Sequence, residues 1–67
     1  MSAEWRYAVV TGTTPLTIRL DGDDAPLADE TTGDPIVPEY LGAAPPNGAR
    51  VWVQMTTGAP IIHGVIT

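Results

Sequence analysis

Seven glycines and seven prolines, spread through only 67 residues, cut this chain into pieces too short for ordinary helices. The cuts fall at residues 12–15, 21–26, 33–35, 42–48 and 58–60. Glycine reaches positive φ without a steric penalty and proline has no N–H to donate, so clusters of the two end regular elements. The intervening stretches, residues 5–11, 16–20, 36–41, 50–57 and 61–67, are rich in Val, Ile, Thr, Trp and Tyr. Such residues fit a pleated, half-buried surface. The spacing therefore predicts an all-β chain. Several short strands at this length favour a small barrel over a two-sheet sandwich, and five strands fit a compact OB-like Greek-key barrel with a long proline-rich loop.

Alternation assigns the faces, because successive strand side chains point to opposite sides. Leu16, Ile18 and Leu20 are expected to face the core, with Thr17 and Arg19 in solvent. Val51, Val53 and Met55 form a second apolar row, and Gln54 marks the other face, which puts Trp52 outside the core. The first strand is apolar on both parities: Trp5, Tyr7 and Val9 on one side, Ala8 and Val10 on the other. The last, from Ile61, is likewise apolar on both. Strands of this kind are buried on both faces or covered by a partner, and an open edge among them would invite pairing with another chain.

One domain spans residues 1–67, and a chain of this size buries only about 60% of its unfolded surface. A core that thin supplies roughly 3 to 5 kcal/mol, and small domains add disulfides, a metal or association. There is no cysteine, and His63 is the sole histidine, so neither a disulfide nor a four-ligand zinc site is expected. Association is the remaining route, as a homo-oligomer or in many copies within a larger particle. Three arginines stand against eight carboxylates, for a net charge of -5. Nucleic-acid binding depends on cations that replace phosphate counterions, so no nucleic-acid partner is expected. No apolar run approaches the roughly 20 residues of a membrane span, and the residues from Met1 to Arg6 lack the apolar stretch of a secretion signal. The expectation is a soluble protein made in the cytoplasm.

Candidate chemistry is sparse. Asp21, Gly22, Asp23 and Asp24 gather carboxylates suited to a hard cation, but Gly is second rather than sixth and Thr32 stands at the twelfth position, where a calcium loop needs Glu. Asp-Gly between two strands reads instead as a turn. His63, flanked by Ile62 and Gly64, has no nucleophile beside it in sequence and reads as a contact residue. Asp29 and Glu30 are adjacent acids in a stretch without a rigid frame and read as solvated. The threonine pairs beside the turns suit local backbone hydrogen bonds. No catalytic, cofactor or metal residues are assigned, and the chain is expected not to be an enzyme. Trp5, Tyr7, Tyr40 and Trp52 suit a protein interface or a stacking platform for sugars. Residues 28–47 hold Pro35, Pro38, Pro45 and Pro46 and are read as an irregular arm lying against a neighbouring subunit. The candidate contact set is Trp5, Tyr7, Pro38, Tyr40, Trp52 and His63.

Three stretches together resemble a known group. Val10, Pro15, Leu16, Ile18, Arg19, Leu20, Asp21, Gly22, Asp23, Ala25, Pro26 and Leu27 form a V-x-x-x-x-P-L-x-I-R-L-D-G-D-x-A-P-L pattern. Gly48, Arg50, Val51, Trp52, Val53 and Gln54 form G-x-R-V-W-V-Q, and Ile61, Ile62, His63 and Gly64 begin a closing strand. The chain resembles, from about Arg6 to Ile66, the small barrel virion proteins of tailed bacteriophages that infect actinobacteria. The resemblance implies a structural protein of the virion with no enzymatic activity and no cofactor. Its expected partners are other virion proteins, in the tail or tail tip first and on the major capsid protein as a decoration second. A carbohydrate-binding module using the same aromatics is the rival reading.

Overall fold

A computed structural model of the chain describes residues 4–66. Residues 1–3, within the stretch read as lacking a secretion signal, and Thr67, the last residue of the fifth predicted strand, lie outside the described residues. Five strands are present: β1 (Glu4–Thr13), β2 (Leu16–Leu20), β3 (Glu39–Tyr40), β4 (Arg50–Met55) and β5 (Ile61–Ile66), with no helix among the described residues. They form one sheet in the order β2-β1-β4-β5-β3, curled into a half-barrel. All neighbours run antiparallel except β3 and β5, which are parallel.

The faces follow the alternation. Ala8, Val10, Leu16, Ile18, Leu20, Val51, Val53 and Ile62 are buried in a single cluster, with Leu27, Ala49 and Met55 packed against it. Ile18, at the centre of β2, is fully enclosed. No buried side-chain polar atom lacks a hydrogen-bond partner among the described residues, as expected of an all-apolar interior. β1 turns into β2 through Thr14 and Pro15, joined by a cis peptide, and Thr11 is the extra residue of a bulge in that pair.

β3 is the very short edge strand expected from its prolines, and the strands do not close a full barrel. The connection leaving β2 instead runs as a strap to the far edge of the sheet. Leu27 N–H donates to the Ile18 carbonyl on the free side of β2 (2.8 Å), and Ile36 N–H donates to Leu27 (3.1 Å). β3 then docks on β5 through Glu39 N–H to Pro60 (2.9 Å) and Leu41 N–H to Ile62 (3.0 Å). Between these anchors the strap folds on itself. Ala28 bridges Pro35, and Asp29 N–H reaches the Asp34 carbonyl at 2.8 Å.

Residues 28–47, expected to be an irregular arm against a neighbour, are thus tied to their own sheet at residues 39–41 and bonded among themselves and to Leu27 between residues 28 and 36. Pro38 and Pro45 are buried. This corrects Pro38 as a contact residue: it is enclosed within the chain. The reason is local, since proline brings an apolar ring and no N–H to satisfy, so it can be buried beside a short edge strand at little cost.

Candidate functional site: an aromatic outer face

The outward side of the sheet is built by the residues that alternate with the core. Direct pairing sets Tyr7 opposite Trp52, Trp5 opposite Gln54, and Gln54 opposite Ile61. The β4–β5 ladder slips between Trp52 and Val53, so that Trp52 pairs with Gly64, Val53 pairs with Ile62, and His63 is the extra residue. A bulge of this kind re-aims side chains. Here it places His63 beside Gln54 and Trp5.

Four rings join into one stripe across three strands. Trp5 and Trp52 are stacked, with centroids 5.3 Å apart and planes 12° apart. Tyr7 meets Trp52 at 4.6 Å, tilted by 53°, and His63 meets Trp5 at 4.8 Å, tilted by 55°. These are the offset and tilted geometries that ring quadrupoles favour. Polar groups hold both ends. His63 Nε2 donates to Gln54 Oε1 at 2.9 Å, and the Arg50 guanidinium lies over the Tyr7 ring, 5.1 Å from its centre. Trp5 is 41% exposed and Tyr7 46%, while Trp52, in the middle, is half-buried by its neighbours.

Arg50 also pairs with the carboxylate of Asp21. The Asp-Gly turn expected after β2 is present, with Gly22 at φ +94°, a conformation that favours glycine. All three arginines converge on it. Arg6 donates to the Asp21 carbonyl (3.3 Å), Arg19 donates to the Asp23 carbonyl (3.0 Å), and Arg50 takes the Asp21 side chain. Asp21 is thereby committed to an arginine. Among the described residues no three or more His, Asp or Glu side chains gather where they could hold a metal ion.

Asp29 is engaged by its own turn, and Glu30 beside it is exposed. The Asp29 carboxylate accepts the N–H groups of Thr31 (2.8 Å) and Thr32 (3.0 Å), and those two bonds, that from Thr32 foremost, hold its pKa below the usual carboxylate value. It is the knot of the strap's turn. The Thr32 and Thr56 hydroxyls serve their own turns, as expected of threonines beside glycine: Thr32 Oγ1 accepts from Asp34 N–H and Thr56 Oγ1 donates to the Ala59 carbonyl.

The sequence-derived contact set thus divides. Trp5, Tyr7, Trp52 and His63 come together, Tyr40 is exposed at the β3 edge apart from the stripe, and Pro38 is enclosed. Arg50 and Gln54 belong to the stripe and were not in the set. Their signal was present, because both share the parity of Trp52 on β4. No protein-family model matches the chain, and no match is found among the curated proteins or the solved structures. No helix among the described residues is long and apolar enough to cross a membrane.

Proposed function

We propose that this chain is a structural protein of a tailed-bacteriophage virion, docked through the outer face of β1, β4 and β5. The observation that carries the docking role is the exposed Tyr7–Trp52–Trp5–His63 stripe. Aromatic residues with an arginine at their margin are what protein interfaces enrich and what binding energy concentrates on. The rings are engaged mainly with one another. They make a packed, pre-ordered contact surface. Assignment to a virion rests on the resemblance carried by the three stretches at residues 10–27, 48–54 and 61–64, with attachment to the tail or tail tip as the first placement and capsid decoration as the alternative.

An OB-like Greek-key reading of the sheet is supported by its connectivity. One parallel pair, β3 with β5, sits in an otherwise antiparallel order, and β2 and β3 are the two free edges. Ligand-binding barrels of that type use the face of their second and third strands and the loops beside it. The aromatic stripe lies elsewhere, on β1, β4 and β5, which favours docking over an oligonucleotide or sugar cleft. A carbohydrate-binding module remains a second reading because of the exposed Trp5 and Tyr7 rings.

Cross-linking mass spectrometry on intact virions tests the proposal. Cross-links from the outer face to tail proteins are expected. Contacts to the major capsid protein alone would replace the tail placement by the decoration one. No association with particles, together with glycan-array binding lost in a Tyr7→Ala variant that circular dichroism shows to be folded, would establish the carbohydrate reading instead.

A further inference from the structure

Two dipeptides in this chain place a short side-chain carbonyl directly before a glycine: Asp21–Gly22 and Asn47–Gly48. In such a pair the glycine nitrogen can reach the carbonyl carbon of the preceding side chain, and the missing Cβ leaves the approach uncrowded. Asp21 is held as a carboxylate by Arg50, and an anionic carboxylate resists attack. Asn47 carries a neutral amide. It is exposed in the turn before β4, and nothing beyond the chain neighbours lies within 4 Å of where a Gly48 Cβ would stand. Neither burial nor crowding shields this pair.

The backbone shields it instead. Ala49 N–H donates to the Pro46 carbonyl (3.1 Å), Gly48 has φ +85°, and no non-glycine residue among those described has positive φ, which makes residues 46–49 a type II turn. Asn47 then has ψ near about +120°, which sets the Gly48 nitrogen roughly 120° from the Asn47 Cβ about the Cα–C bond. Closing a succinimide ring needs the two eclipsed. Gly48 N–H also donates to the Val10 carbonyl at 2.8 Å, and Val10 N–H returns a bond to the Ala49 carbonyl at 2.9 Å. A peptide nitrogen shares its lone pair with its own carbonyl and attacks only after losing its proton. Here that proton is held. Val10 is 1% exposed, so the clamp is fixed to the core.

We propose that Asn47 is a covalent modification site that folding keeps closed, and that it cyclises when the turn at residues 46–49 opens. In the open chain the Gly48 nitrogen gives up its proton and forms a bond to Asn47 Cγ. The Cγ–Nδ2 bond breaks, and Nδ2 leaves with a proton as ammonia. Water then adds to one of the two ring carbonyl carbons. Opening the ring at Cγ gives aspartate, and opening it at the main-chain carbon gives isoaspartate. Isoaspartate inserts the Cβ carbon into the main chain just before Gly48, so Gly48 no longer meets Val10 in register. A converted chain loses its clamp permanently, and the site records time spent unfolded. This inference is independent of what docks on the outer face.

Incubation of the full chain at mildly alkaline pH across a guanidinium chloride series tests the proposal. Peptide mapping follows conversion at Asn47, electron-transfer fragmentation separates isoaspartate from aspartate, and circular dichroism reports folding in the same samples. Conversion is expected to be at least about tenfold slower in the folded chain, a factor that needs only about 1.4 kcal/mol against local opening. It should rise along the unfolding transition and level off above it. Hydrogen exchange at the Gly48 amide of the folded chain should be slowed by a similar factor. On dilution from denaturant, isoaspartate chains should stay in the unfolded fraction while unconverted chains refold. Equal conversion in folded and unfolded chains would overturn the proposal. So would slow conversion beside a freely exchanging Gly48 amide, because the Val10 clamp would then not be the gate. Isoaspartate chains that refold with the rest would overturn the permanent loss of the clamp.

Discussion

Trp52→Ala removes the middle ring of the stripe and so reports on whether those rings act as a unit. Trp52 contacts Trp5 at 5.3 Å and Tyr7 at 4.6 Å. Each aromatic pair contributes about 0.5–1.5 kcal/mol beyond its buried area, so the two together are worth about 1–3 kcal/mol. Full burial of a tryptophan would put the loss at about 3–5 kcal/mol, and half-burial lowers that, so a loss of about 2–3 kcal/mol is expected. A domain of this size holds roughly 3 to 5 kcal/mol in total, so the variant should be barely folded. With a urea slope of about 1 kcal/mol per molar, the midpoint should fall by about 2–3 M. Fluorescence and circular dichroism in urea measure it, and double-mutant cycles with Trp5→Ala and Tyr7→Ala isolate the ring contacts. Coupling of about 0.5–1.5 kcal/mol is expected in each cycle. Coupling below about 0.3 kcal/mol in both would mean that the rings merely lie near one another, and the pre-ordered docking surface would lose its physical basis.

Two further outcomes bear on what holds the site in place. Ile18→Ala empties a fully enclosed position at the centre of β2, at about 2–5 kcal/mol, and should abolish cooperative unfolding in thermal melts of the isolated chain. Asp29 has a folded pKa below its ordinary 3.8, so its contribution to the strap is fully present above that value and is lost as pH falls through the folded pKa. Carbon-13 NMR of the Asp29 carboxyl should titrate below pH 3.8, with Thr31 and Thr32 amide shifts following the same midpoint. A midpoint at or above 3.8 would refute the turn's geometry.

Much of the fold was legible because its signals are local. The period-two pattern from Leu16 to Leu20 and from Val51 to Met55 assigned core and outer faces correctly, and with them the outward Trp52. Gly22 marked its turn, and the prolines around β3 kept that strand to two residues at an edge. Pro38 was misjudged for a related reason. A run of prolines says only that a ladder cannot form, and it does not say whether the rings lie on the surface or beneath the strap.

What the sequence by itself determined is which residues form strands and which way most of them face, since alternation and turn chemistry are properties of neighbouring residues. Only the tertiary structure decided which faces meet. The order β2-β1-β4-β5-β3 brings Trp5, near one end of the chain, against His63, near the other, across β4. His63 takes its place through a slip in the β4–β5 register, and a slip exists only once two strands are paired. The course of the strap, and the gathering of three arginines on one turn, likewise depend on contacts between distant residues. Their geometry is set by how the sheet curls, which no local pattern encodes.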